Sequence, residues 1–143
     1  MRTVREFLNS ANQTLATISP EETVYQALTL MAERNLTALL VVKNKALVGI
    51  FSERDYARKI ILKGKRSRET QVGEIMTAKL ITVEPSETVN ECMSIMTERR
   101  VRHLPIVNPD GEMLGIISIG DVMKIIMEEQ RFMIKELKRY IAG

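Results

Sequence analysis

Apolar and polar positions follow the same order twice along this chain. Each run opens on a short apolar stretch, Leu15–Ile18 or Leu80–Val83, which predicts an edge strand, followed by Pro20 or Pro85. Next come Val24, Ala27, Leu28, Leu30 and Met31, and in the second run Val89, Cys92, Met93, Ile95 and Met96. That i, i+3, i+4 spacing, with a further apolar pair, predicts a helix with one broad buried face. Thr23-Val-Tyr-Gln26 and Thr88-Val-Asn-Glu91 fit the capping-box pattern at its start. The continuous apolar runs Ala38–Val42 and Leu104–Val107 predict interior strands. Turns are expected at Lys43-Asn44-Lys45 and, more strongly, at Asn108-Pro109-Asp110-Gly111. Return strands over Leu47–Phe51 and Met113–Ile117 then lead into second helices that start at Ser52 and Ser118. Each half reads β-α-β-β-α, and the fold class is α+β.

The two halves also match residue by residue. Thr17/Thr82, Pro20/Pro85, Met31/Met96, Arg34/Arg99 and Leu39/Leu104 are identical, as are Gly49/Gly115, Ser52/Ser118 and Asp55/Asp121 once one residue is inserted. Such an internal repeat decides how the fold is read. It sets expected boundaries at 8–62 for copy one, 63–75 for a linker, 76–128 for copy two and 129–143 for a C-terminal helical extension. The linker begins polar and basic (Lys63–Thr70), as an exposed loop does. Val72–Thr77 reads as an ordered lead-in to copy two. From Asp121 to Ile141 a long helix is expected. Its apolar residues, among them Val122, Ile125, Phe132, Met133, Leu137 and Tyr140, exceed what one small lobe needs. Either a partner subunit covers them, or the helix packs back on its own lobe with residues 1–10.

Bulk properties narrow the classes. With 143 residues and 45% hydrophobic positions, the chain can bury a core. A net charge of +3 does not demand a nucleic-acid partner. The Lys63–Arg68 cluster has no interleaved aromatic for base stacking. No apolar run approaches the ~18–20 residues of a membrane span, and MRTVREFLNS has no signal-peptide core, so a cytoplasmic location is expected. The single cysteine, Cys92, aligns with Ala27 and is expected to be a buried, inert thiol. No metal-ligand cluster and no nucleophile–base–orienter set is visible, so no catalytic residue and no metal site is expected.

The chemistry-bearing motif is Gly49-Ile-Phe-Ser52-Glu-Arg-Asp55 and its copy Gly115-Ile-Ile-Ser118-Ile-Gly-Asp121. One reading is purely structural: Ser at N-cap with Asp at N3 caps a helix and suits its dipole. The other is functional. A helix N-terminus with its free N–H groups attracts phosphate, a serine hydroxyl adds a bond, and an acid one turn on can accept both hydroxyls of a ribose. Glycine before the serine permits close backbone approach.

The repeated T-x-x-P…G-h-x-S-x-x-D pattern in a β-α-β-β-α frame resembles a tandem pair of CBS (cystathionine-β-synthase type) domains, covering roughly residues 8–128. The resemblance implies two repeats related by a pseudo-two-fold axis, with two clefts that bind an adenosine-containing ligand such as AMP, ADP, ATP, NAD or S-adenosylmethionine. It also implies a homodimer, a regulatory role toward an unidentified protein, and no cofactor of catalysis. One implied cleft groups Ile50, Ser52 and Asp55 with Lys79, Leu80, Ile81, Val101, Arg102 and His103. The other groups Ile116, Ser118 and Asp121 with Thr14, Leu15, Ala16, Leu36, Thr37 and Ala38. Arg54 and its counterpart Gly120 flank them. Arg102 and His103 stand where copy one has Thr37 and Ala38, so the first cleft is expected to hold an anionic ligand better. The alternative is an interaction scaffold of the same fold that requires no ligand.

Overall fold

The computed structural model describes residues 2–11 and 15–143. They fall into two compact units. One is contiguous, Leu15–Ile81; the other joins Thr82–Gly143 to the N-terminal segment. These units depart from the boundaries expected from the repeat, because residues 76–81 go with copy one and the N-terminal helix goes with copy two.

In the contiguous unit, β1 (Thr17–Ile18), β2 (Ala38–Lys43) and β3 (Ala46–Ser52) form a sheet in that order, β1 parallel and β3 antiparallel to β2. Helix α2 (Val24–Arg34) has the full capping box between Thr23 and Gln26. It buries Val24, Ala27 and Met31 against Leu39, Val41 and Phe51. Each fully buried side chain of this size contributes about 1.5–3 kcal/mol. The hairpin turn holds Asn44 at φ 51° and Lys45 at φ 66°. Two consecutive left-handed residues match the twist of the strands on either side. After β3 comes a single α-turn, α3 (Glu53–Tyr56), which runs into a π-helical turn over Ala57–Ile61. There the Leu62 N–H reaches back to the Ala57 carbonyl at 3.2 Å.

The linker is exposed over its basic start, buries Thr70, Val72 and Ile75, and does more than connect. The Thr70 and Ser67 carbonyls accept the N–H groups of Val24 and Tyr25, two of the donors a helix start leaves free. Helix α4 (Val72–Ile75) then docks on copy one: Val72 and Gly73 donate to the carbonyls of Glu22 and Pro20 at 2.8 and 2.9 Å.

The other unit repeats this scheme. Helix α5 (Val89–Arg99) is capped by Thr88 and buries Val89, Cys92 and Met96. Strands β4 (His103–Val107) and β5 (Met113–Ser118) form a hairpin with a register shift at Ile106/Val107, where copy one shifts at Val41/Val42. The expected strand at Leu80–Val83 is reduced to one parallel bridge, Val83 to Ile106. Helix α1 (Val4–Ala11) takes the place of α4: Val4 and Arg5 donate to Glu87 and Pro85, and Val89 donates to Arg2. The lead-in to each copy of the repeat thus docks on the other copy's first helix. Finally, α6 (Ile119–Ala142) buries Val122 and Ile125 and meets the N-terminal segment through the Arg2 N–H to Glu129 bond of 2.8 Å. It packs back on its own unit that far. From Arg131 onward every residue is exposed, including Phe132, Met133, Leu137 and Ile141.

Candidate ligand-binding turns

Both Ser–Asp turns form at the junction of a return strand and a helix. Ser52 ends β3 in extended conformation and accepts the Asp55 N–H at 3.3 Å, while Asp55 Oδ2 accepts the Ser52 N–H at 2.9 Å and hydroxyl at 3.1 Å. Ser118 and Asp121 repeat the arrangement at 2.9, 2.9 and 3.1 Å. The structural reading of the motif is therefore realised in both copies. It also reduces what the helix starts can offer a phosphate. Beyond the capped third N–H, the first N–H of each helix is taken: Glu53 donates to Thr37 O and Ile119 to Arg102 O.

The carboxylates differ in their further partners. Asp55 is buried, and its Oδ1 accepts the Thr77 hydroxyl at 2.8 Å and faces Lys59 Nζ at 2.9 Å. The same ammonium donates to the Ile75 carbonyl at 2.9 Å. Asp121 is half-buried, and among the described residues its bonds are those to Ser118.

Thr77 and Lys59 were missed by the sequence reading. Lys59 carried a signal, since an acid and a base four apart on a helix pair readily. Thr77 carried none: it reaches Asp55 because it exchanges both main-chain bonds with Ile50, at 2.8 and 2.9 Å. Gly49 serves that same packing. A Cβ there would meet the Met76 side chain and stand 3.1 Å from the Thr77 carbonyl. So its close backbone approach is to the chain itself.

Strand register ties other expected residues to the turns. Ala38 pairs with Ser52, and His103 pairs with Ser118. The Arg102–His103 pair thus lies beside the Asp121 turn within one unit, and Thr37–Ala38 lies beside the Asp55 turn. Ile50 is buried; Leu36, Ala16, Leu80, Ile81, Val101 and Ile116 are half-buried; Leu15, Lys79, Arg102, Arg54 and Gly120 are exposed. Thr14 lies outside the described residues. Among the described residues no three His, Cys, Asp or Glu side chains come together as a metal site, and no helix is long and apolar enough to cross a membrane. Cys92 is buried, and desolvation, with Glu87 and Glu91 nearby, pushes its thiol up to about 11. A surface depression elsewhere, by Tyr25 and Arg66–Glu69, is held by the chain's own pairs: Arg68 stacks 3.8 Å over the Tyr25 ring and Arg66 bonds Glu69.

The CBS domain model matches the chain twice, over residues 4–62 and 72–128. The chain belongs to the CBS domain family. It is 46% identical over 128 residues to the mitochondrial CBS domain-containing protein CBSX3 of Arabidopsis thaliana, a match covering 86% of this chain and 62% of that protein. This CBS pair therefore spans about three fifths of that relative's length. Among solved structures, a putative signal-transduction protein with CBS domains from Burkholderia ambifaria superposes with a TM-score of 0.85 at 46% identity, covering 90% of this chain and 96% of that one. The CBS domain pair of protein MJ0100, solved in complex with 5-methylthioadenosine and S-adenosyl-L-methionine, shares the fold at a TM-score of 0.80 and 22% identity, covering 90% and 98%.

Proposed function

We propose that this CBS pair is a regulatory module that senses an adenosine nucleotide (AMP, ADP, ATP or NAD) and acts by binding rather than by catalysis. The observation that carries the reading is the pair of Ser–Asp turns, each at a strand end beside the strand that precedes it in the hairpin. Among the described residues the bonds of Asp121 are those to Ser118, and the reading gives its carboxylate a sugar hydroxyl. The MJ0100 complex supports it, because a protein of the same fold was solved with adenosine-containing ligands. The walls of the sites would be the segments before β2 and β4 (Leu36–Ala38 and Val101–His103) and those around Leu15–Ala16 and Lys79–Ile81. Apolar side chains would hold the adenine and Arg102 would meet phosphate. A ligand regulates only if it binds two arrangements unequally, so the module needs a second state or a partner that reads it.

The proposed assembly is a homodimer through the exposed end of α6, and the proposed location is the cytoplasm. The mitochondrial relative makes that organelle the comparison to test. A second reading, an interaction scaffold without a required ligand, is favoured by the same exposed apolar turns of α6. Calorimetric titration with AMP, ADP, ATP, NAD and S-adenosylmethionine decides between them. Heat from at least one supports the sensor; none from any leaves the scaffold.

A further inference from the structure

Copy one ends in a way that copy two does not. Its π-helical turn Ala57–Ile61 runs into a closed cap. Gly64 stands at φ 65°, its N–H donates to the Ile61 carbonyl at 3.3 Å, and the Lys65 N–H donates to the Ile60 carbonyl at 3.0 Å. This pair of bonds is the Schellman arrangement, which satisfies the last carbonyls of a helix and fixes the chain that follows. The turn is thus ordered by its own main chain. Ile60 is buried beneath it, yet Ile61 is 57% exposed and Leu62 76% exposed. A methyl group added at Gly64 would meet nothing within 4 Å, so the tip is convex.

Cations flank the two exposed aliphatic residues. Six cations and one acid fall within residues 58–69, and Arg58, Lys63, Lys65, Arg66 and Arg68 are exposed. The far end of the run is fixed as well: Arg68 stacks 3.8 Å over Tyr25, and the Ser67 carbonyl accepts the Tyr25 N–H at 3.0 Å. The aligned stretch of copy two takes the opposite course. Glu128 and Glu129 stand in place of Leu62 and Lys63, they bond Arg2 of their own unit, and α6 continues through them. The basic, apolar tip is therefore no product of the repeat.

We propose that the turn Ile61–Lys65 is an anchor for an anionic lipid surface. Ile61 and Leu62 enter the acyl boundary, while Arg58, Lys63, Lys65 and Arg66 meet the headgroup phosphates and carboxylates. Aliphatic side chains gain by leaving water for hydrocarbon. Clustered Lys and Arg are drawn to the negative potential of an anionic leaflet. Charge also selects among occupants. A second copy of the turn would bring the same cations face to face, and like charges repel. A nucleic acid would satisfy the cations but offers nothing to Ile61 and Leu62, whose side chains have no π face for a base. A convex tip gives a partner's helix no groove, whereas a lipid surface deforms around it. Such an anchor needs no adenosine ligand.

The test is cosedimentation with vesicles of phosphatidylcholine alone and of phosphatidylcholine with about one third phosphatidylserine. Wild type is expected to bind the mixed vesicles at least about tenfold better than the neutral ones, and less as salt is raised. The double change Lys63→Glu, Lys65→Glu is expected to lose about tenfold or more. Leu62→Ser is expected to lose about threefold or more. No binding of wild type to mixed vesicles, or binding that survives both variants within about twofold, overturns the anchor. So does tighter binding of oligouridylate than of mixed vesicles at the same salt, which would make the cluster a nucleic-acid surface. Insertion is read separately, in a variant that keeps the tip apolar. The chain has no Trp, so Leu62→Trp is a lone reporter. Its emission is expected to shift to the blue on mixed vesicles and to be quenched by brominated acyl chains. An unshifted, unquenched emission overturns the anchor.

Discussion

Gly49 lies against Thr77 so closely that one added methyl group would stand 3.1 Å from the Thr77 carbonyl oxygen and nearer still to the Met76 side chain. The glycine of the Ser–Asp motif is thereby explained without a ligand. Gly49→Ala is expected to destabilise the chain by about 1–3 kcal/mol, the usual cost of overpacking. Urea unfolding of the two proteins measures it. A loss below about 0.5 kcal/mol would show that Met76 yields freely.

The same contact separates the two aspartates in stability. Asp55→Asn loses the pairing with Lys59 and leaves a buried polar cluster badly matched. Because Lys59 is partly exposed, the expected loss is held to about 1–3 kcal/mol. Among the described residues Asp121→Asn touches the Ser118 cap, and it is expected to cost about 1 kcal/mol or less. Thermal melts of the pair give the order, and equal losses would contradict the described geometry.

Lys45 occupies the second left-handed position of the β2–β3 turn at φ 66°. Glycine relieves that strain but adds freedom to the unfolded chain. Lys45→Gly is expected to stabilise by about 0.5 kcal/mol in chemical denaturation; a destabilised variant would mean that the lysine side chain earns its place there.

Burial raises the Cys92 thiol to about 11. An acid whose folded value lies above its unfolded value favours folding while both states are protonated. Its contribution is therefore complete below about pH 8.5, the unfolded range, and is lost as pH climbs toward 11. Relative to Cys92→Ala, wild type should lose stability across that interval. At pH 8 the native thiol should react with Ellman's reagent only as fast as the protein opens. Immediate reaction would contradict its burial.

Phe132, Leu137 and Ile141 are exposed on α6 beyond Glu129, which bonds the N-terminal segment. Leu137→Glu is expected to change the monomer's stability by less than about 0.5 kcal/mol, while converting the proposed dimer into a monomer by light scattering. An unaltered mass would remove this helix from the interface.

Much of this was legible in the residues. The two copies of β-α-β-β-α, the helix starts at Thr23, Ser52 and Ser118 and the paired hairpins follow from periodicity and capping chemistry, which act locally. The crossed docking of α1 and α4 did not show. It is carried by main-chain bonds such as Val24 to Thr70 and Val4 to Glu87, which any side chain permits. The strand expected at Leu80–Val83 failed for a related reason. The chain just before it is already bonded to Ile50 through Thr77, so only Val83 reaches a partner strand. At the candidate site, Ser52, Asp55, Ser118 and Asp121 were found by motif. The difference between the aspartates depended on Thr77, twenty-two positions away from Asp55.

The crossed docking has a consequence for synthesis. Residues 15–81 form one contiguous compact unit, so this unit can close while the rest of the chain is still being made. Helix α1 precedes that unit in the chain, yet its main-chain partners Pro85, Glu87 and Val89 emerge only after it. A helix translated ahead of that unit is thus secured after it, and until then its apolar face, Val4 and Phe7, waits in solvent.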